Sequence, residues 1–494
     1  MAFADQPHRT KIVATYGPAV NTTERLRRLL EEGVDILRYN FSHGKGEDFV
    51  RLVRRVRRIE HDLGRPVAVL ADLQGPKIRT GELEGHAPFV LADGAEFFIS
   101  PMPIAGGPRG VSISYRFHAG EFRPGDRILL DDGKITLRVV RDDGERVVCT
   151  AERGGQIREH MGVFLPSTAT ALPSLTDKDR QDAASALRGG ADFIALSFVR
   201  RAEDMEELRA ITREAPHPPM LVAKIEKPQA LENLPQIVAV SDVVMVARGD
   251  LGVEVDIHQI GVLQKEIIQQ CRQQRTPVIV ATQMLESMTE RPSPTRAEAT
   301  DVTNAILDGT DAVMLSGETA SGRYPFEAVS TMRRIAEATE SYMRRTHRPA
   351  EGPTRLPAGD PLFSITHAAI TAACDTDARA IIVHTLSGRT ARLLSRYHPD
   401  CPVLAFTPSR SALRQMNILY GVYPQQIARY RSSDQLVHHS EERVRRLIPI
   451  DRPTYFVILS GRAFTPGATN TLRIRALQPL RGEARTPASH SGEV

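Results

Sequence analysis

Eight short apolar runs of strand length punctuate the chain, at residues 11–17, 35–43, 67–75, 193–199, 221–227, 243–249, 277–284 and 312–318. Seven of them pass at once into stretches whose apolar residues fall three and four apart, such as 23–32, 203–214, 262–273, 295–307 and 326–343. This alternation of strand and amphipathic helix predicts a (β/α)8 barrel rather than an open sheet. In such a barrel the chemistry sits at the carboxyl ends of the strands, on the loops that lead into the helices.

The third run is the exception. From Gln74 to about Ala171 the pattern changes to short strands broken by turn sequences: Leu91-Ala92-Asp93-Gly94, Pro124-Gly125-Asp126, Asp131-Asp132-Gly133 and Asp142-Asp143-Gly144. They predict a small all-β domain inserted in a βα loop, where it could act as a lid over the active face. Thr176-Asp177-Lys178-Asp179 then opens the delayed third helix like a capping box. After a polar, Pro-rich stretch at 347–360, a further α/β pattern follows, with strands at 381–385, 403–407 and 455–460 and helices at 365–373 and 390–397. It predicts a doubly wound or mixed sheet. The expected domains are a barrel at 1–73 and 172–345, an all-β insertion at 74–171, an α/β domain at 355–480 and a disordered tail at 481–494.

A chain of 494 residues is too long for one hydrophobic core. Its net charge of +4 comes from interspersed acidic and basic residues, which argues against nucleic-acid binding. Arg54-Arg55 and Arg57-Arg58 alternate with Val53, Val56 and Ile59 and are expected on a solvated helix face. The four cysteines, Cys149, Cys271, Cys374 and Cys401, lack metal-ligand spacing and are expected as buried free thiols in a reducing compartment. With no signal-peptide pattern and no apolar run of membrane-spanning length, a cytoplasmic protein is expected.

The polar residues that end the apolar runs carry the candidate chemistry. Ala223-Lys224-Ile225-Glu226-Lys227 and Ala247-Arg248-Gly249-Asp250-Leu251-Gly252 each follow a run of strand length. Glu226 and Asp250 are hard oxygen ligands suited to Mg²⁺ or Mn²⁺, which bind through one or two carboxylates plus substrate oxygens. Lys224 beside them can stabilise an anion developing on the same substrate. The combination fits phosphoryl transfer or enolate chemistry; the bland alternative is a solvated strand edge and a turn.

Other strand ends add to the set. Arg38-Tyr39-Asn40-Phe41-Ser42-His43-Gly44 puts Arg38, Asn40 and Ser42 on one face by strand alternation, a costly set to bury without a ligand. In Asp72-Leu73-Gln74-Gly75-Pro76-Lys77-Ile78-Arg79, a buried Asp72 needs a cation, for which Lys77 is the candidate, and Arg79 offers a planar fork for phosphate. A salt-bridged domain junction is the alternative. Thr282 and Ser316, after the last two runs, either face the pocket or cap helices. Thr385-Leu386-Ser387-Gly388-Arg389-Thr390 passes from strand to helix and suits either an anion or an ordinary capped turn.

Taken in order, segments 10–15, 40–44, 75–81, 224–226, 245–252, 281–288, 294–298 and 314–320 resemble the pyruvate kinase family. The resemblance covers the barrel, the insertion and, less sharply, the last domain. It implies transfer of the phosphoryl group of phosphoenolpyruvate to ADP, giving pyruvate and ATP. Lys224 would then stabilise the enolate and the phosphoryl group in flight, and Glu226 and Asp250 would hold Mg²⁺ (or Mn²⁺). The substrate carboxylate would meet backbone groups of Gly249 and Asp250 and the Thr282 hydroxyl, and Arg38 the phosphoryl group. Arg79, Arg201 and His43 are implied nucleotide contacts, although many members carry a lysine where Arg201 stands. Thr282 and Ser316 resemble residues of the proton relay to the enolate carbon, with water as the immediate donor.

The same resemblance bears on ions and regulation. Members that need K⁺ bind it through positions matching Asn40, Ser42, Asp72 and the Leu73 carbonyl, and carry a glutamate where this chain has Lys77. The lysine resembles the K⁺-independent branch, so no K⁺ requirement is expected. A homotetramer is implied, with neither nucleic acid nor membrane as partner, and so is a phosphorylated effector at Thr385, Ser387, Gly388, Arg389 and Thr390. Residues 460–470 depart from the pattern of members that bind fructose 1,6-bisphosphate. Two other readings remain. A Mg²⁺-dependent lyase or aldolase working on pyruvate enolate would need the carboxylates but neither Arg79 nor a lid. A catalytically dead binding protein would have lost Lys224, Glu226, Asp250 or Thr282.

Overall fold

A computed structural model describes residues 8–166, 168, 172–346, 360–430, 432–461 and 469–479. The chain forms two compact units, residues 1–38, 52–69 and 284–494, and residues 39–51 and 70–283. Eight parallel strands close a barrel: β1 (Lys11–Thr15), β2 (Ile36–Asn40), β3 (Ala68–Asp72), β4 (Phe193–Leu196), β5 (Met220–Ile225), β6 (Val243–Ala247), β7 (Val278–Ala281) and β8 (Ala312–Leu315). Their order around the barrel is the order of the chain, and β1 pairs with β8. Strands buried on both faces read as continuous apolar runs, which is why all eight stand where the sequence predicted. Each stops two or three residues sooner than its apolar run, because the polar residues that follow leave the ladder. Two such segments, Arg248–Glu254 and Gly317–Ala320, are helical.

β1 is anchored at its amino end by Glu340 of the helix Pro325–Arg345. The fully buried carboxylate accepts from the Arg9 N–H (2.9 and 3.0 Å), the Thr10 N–H (2.7 Å) and the Thr10 hydroxyl (2.8 Å). Glu340→Ala would orphan two buried N–H groups and should cost ~3 kcal/mol, read as a lower urea midpoint at unchanged slope.

The all-β insertion is present. A seven-stranded sheet runs in the order Ile78–Arg79, Gly162–Phe164, Arg127–Leu130, Ile135–Asp142, Val147–Arg153, Glu96–Ser100, Gly110–Ser112. A two-stranded ribbon, Phe89–Leu91 with Gly155–Ile157, accompanies it. The turn sequences behave as read: Gly94, Gly125, Gly133 and Gly144 all take positive φ. Thr176 and Asp179 form the capping box at the head of the helix Asp177–Gly189. Asp179 also accepts from the Gly75 N–H at 3.0 Å, where the chain turns away from β3 into the insertion.

The last domain is a five-stranded mixed sheet. Val422–Gln426, Val403–Thr407, Ala380–His384 and Thr454–Gly461 are parallel, and Thr469–Leu477 adds an antiparallel edge. Two smaller expectations are corrected. Arg54 and Arg58 are exposed, but Arg55 reaches Tyr16 and the Asn21 carbonyl, and Arg57 reaches Glu60 and the Val67 carbonyl. All four thiols are free; Cys149 and Cys271 are buried, whereas Cys374 is exposed and Cys401 half-buried. Among the described residues no helix is long and apolar enough to cross a membrane. The expected tail, most of the Pro-rich stretch and residues 462–468 of the segment 460–470 lie outside the described residues.

Candidate active site

Lys224 stands near the end of β5, buried among anions. Its Nζ lies 2.8 Å from Glu226 Oε1 and 3.4 Å from Asp72 Oδ1, and donates to Ser197 Oγ at 2.8 Å. Ser197 in turn donates to the Leu73 carbonyl at 2.8 Å. Glu226 Oε2 accepts from the N–H of Phe198, whose φ of 57° turns the chain out of β4 to present it. Glu226 Oε1 is left to the Lys224 ammonium. Burial pushes the Glu226 carboxyl above its usual range; the Lys224 ammonium opposes that and the charge of Asp250 adds to it. A buried acceptor of this kind, next to a second carboxylate, is chemically suited to a hard cation.

Thr282 follows β7 directly. Its hydroxyl donates to the Ala281 carbonyl (2.6 Å) and accepts from the Gly249 N–H (2.7 Å). Thr282 is not the N-cap of the short helix Glu286–Thr289 that follows it; the N–H it accepts belongs to the first turn of Arg248–Glu254. The approach at Gly249 is close: a Cβ would sit 3.3 Å from Thr282 Oγ1, which would have to shift slightly.

In the other unit, Arg38 at 9% exposure donates to Thr15 Oγ1 at 3.0 Å. The Thr15 hydroxyl donates to the Leu315 carbonyl at 2.9 Å, and the Thr15 backbone exchanges hydrogen bonds with Thr319 Oγ1. Ser316 occupies a cap position, but its hydroxyl makes no capping bond, and its buried oxygen has no partner. Behind it, Glu318 accepts from the Ser316 N–H (2.7 Å) and the Leu285 N–H (3.1 Å). Burial raises the Glu318 pKa above the carboxylate range.

A cavity of about 380 Å³ opens in the unit of residues 39–51 and 70–283, between the insertion and the strand-end loops; its lining includes Lys77, Arg79, His160, Arg200, Lys227 and Asp250. Arg79 donates to the His160 carbonyl at 2.9 Å. Lys77 does not pair with Asp72 as expected. Gly75, at φ 69°, turns the following residues toward the insertion, so Lys77 is exposed and lines the cavity, while Lys224 is the cation beside Asp72. The other expected K⁺ ligands are engaged locally: Asn40 Oδ1 accepts from the Ser42 N–H at 3.0 Å, and the Leu73 carbonyl holds Ser197. His43 is exposed. In the last domain, Thr385 Oγ1 accepts from the Gly388 N–H (2.9 Å), Thr390 meets Thr469 (3.3 Å) and Arg389 pairs with Asp360 (2.7 Å).

Residues 7–329 match the family described as pyruvate kinase, barrel domain, and residues 364–475 match pyruvate kinase, alpha/beta domain. The chain belongs to the pyruvate kinase family. It is 41% identical over 475 residues to a pyruvate kinase of Agrobacterium vitis, covering 96% of this chain and 97% of the relative. To that of Corynebacterium efficiens it is 40% identical over 483 residues, covering 97% and 99%. A crystal structure of a pyruvate kinase from Cryptosporidium parvum superposes with a TM-score of 0.88 at 33% identity, covering 95% of this chain and 96% of that one. The reaction is that of pyruvate kinase: phosphoryl transfer from phosphoenolpyruvate to ADP, yielding pyruvate and ATP.

For a pyruvate kinase, the geometry adds residues that sequence reasoning passed over. Ser197 orients Lys224, and its signal was a lone hydroxyl inside the apolar run 193–199. Arg200 lines the cavity, whereas its neighbour Arg201, expected at the nucleotide, is exposed and only loosely paired with Glu203 and Asp204. Lys227 also lines the cavity and is held by Glu254, a carboxylate whose pKa burial raises.

Proposed function

We propose that Lys224, Glu226 and Asp250 form the reacting centre. The observation that carries this reading is the buried Lys224 ammonium, 2.8 Å from Glu226 Oε1 and 3.4 Å from Asp72 Oδ1. Glu226 and Asp250 would hold Mg²⁺, which when bound neutralises charge on phosphoryl and enolate oxygens. Two carboxylates leave positions for water and substrate oxygens, as Mg²⁺ requires. Lys224 stabilises negative charge as it develops on the enolate and the phosphoryl group. Gly249, Asp250 and Thr282 take the substrate carboxylate, and Arg38, braced on Thr15, takes the phosphoryl group. Thr282 and Ser316 serve the proton relay, and the unpartnered Ser316 hydroxyl supports that role. Arg79 binds nucleotide phosphate in the cavity, with Arg200 and Lys227 as further cations there.

The insertion, taken as residues 74–171, acts as a lid that excludes water from the phosphoryl donor. Thr385–Thr390 receives a phosphorylated effector, a reading supported by the strand-to-helix turn between Ala380–His384 and Arg389–Ser395. A homotetramer in the cytoplasm follows the family resemblance, and the four free thiols support a reducing setting.

In this reading Lys77, one of the cations lining the cavity, stands in for a monovalent ion, so turnover should need no K⁺. Pyruvate formation from phosphoenolpyruvate and ADP with Mg²⁺ should proceed in K⁺-free buffer and change little with KCl. Lys77→Glu should lose ~10-fold or more of that rate and recover it with KCl. Wild-type activity only with KCl would discard the built-in cation. No turnover in either buffer, from folded protein, would discard the reacting centre.

A further inference from the structure

We propose that Arg248 is a positioning residue for the Thr282 hydroxyl; the inference rests on the substrate-facing role given to Thr282 above. Thr282 and Gln283 leave β7 with φ of 68° and 54°, a region that a β-branched residue avoids. Such conformations persist only when the surroundings impose them. Arg248 imposes this one. Its buried guanidinium donates to the Thr282 carbonyl from Nη2 (2.8 Å) and Nε (3.3 Å), and to the Gln283 carbonyl from Nη2 (3.2 Å). On its other side, Nη1 donates to Oε1 of the buried Gln264, in the helix Ile260–Gln274.

The fork therefore joins a packed helix to the two strained carbonyls. With those carbonyls fixed, Thr282 Oγ1 points one way, between the Ala281 carbonyl and the Gly249 N–H. Arg248 begins the helix Arg248–Glu254, and its side chain reaches from there to the two carbonyls. A point cation cannot span two carbonyls as a planar fork does, so lysine is not equivalent here.

The test is a double-mutant cycle of Arg248→Met and Thr282→Val, assayed with phosphoenolpyruvate, ADP and Mg²⁺. Arg248→Met should lower kcat ~10²-fold with KM for phosphoenolpyruvate within about threefold, because the loss is one of geometry in the transition state. Exchange of the pyruvate methyl protons in D₂O should fall in parallel. Because Arg248 acts through Thr282, the double variant should be no slower than Thr282→Val alone. Arg248→Lys should recover little. Multiplying losses in the double variant, or near wild-type kcat in Arg248→Met, would overturn the proposal. Wild-type kcat in Thr282→Val would remove the site reading and the proposal with it. Circular dichroism checks each variant; if Arg248→Met does not fold, Arg248→Lys takes its place in the cycle, with the same non-additivity expected.

Discussion

Lys224→Met should lower kcat by ~10³-fold or more, since it removes a buried cation proposed to meet the developing negative charge. The side chain is 8% exposed and sits between Glu226 and Asp72, both 1% exposed. Methionine keeps the length but leaves two buried carboxylates facing each other without a countercharge. Breaking a buried pair in this way costs ~3–5 kcal/mol, so the variant should also melt at lower temperature. Activity must therefore be read where circular dichroism shows native protein. Added Mg²⁺ should restore part of the melting temperature but none of the rate. Full turnover by the folded variant would remove Lys224 from the reaction.

Glu226→Gln separates the two effects. Loss of one of two proposed metal ligands should cost several kcal/mol in the transition state, about 10³-fold in kcat, and should weaken apparent Mg²⁺ affinity. Stability should hold to within about 1 kcal/mol, because the variant no longer buries that charge. The glutamine carbonyl can still accept the Phe198 N–H, and Lys224 keeps Asp72. A Mg²⁺-dependent rise in melting temperature should appear in the wild type and vanish in Glu226→Gln. An unchanged Mg²⁺ response would show that the ion binds elsewhere.

The barrel was legible because its strands are apolar on both faces, and a charged residue ending such a run stands out. Lys224, Glu226 and Asp250 were visible for that reason. Residues whose role depends on a turn were not. Lys77 looked adjacent to Asp72 along the chain, yet the positive φ of Gly75 sends it elsewhere. The strand Val422–Gln426 was missed because Pro424 argues against a strand, a residue that an edge tolerates. Arg248, Ser197 and Glu318 act on backbone groups and neighbouring side chains, and no spacing in the sequence encodes those partners.

β1 has a consequence for how the chain is made. Its partner β8 is about 300 residues downstream, as the Thr15–Leu315 hydrogen bond shows. A ribosome releasing the chain from its amino end exposes β1 long before β8 exists. The inserted sheet, by contrast, pairs every strand within residues 78–164 and can order itself while β1 still waits. Barrel closure is then a late, non-local and slow event. Nascent chains stalled just before residue 312 should carry an ordered insertion and seven barrel strands that cannot yet close.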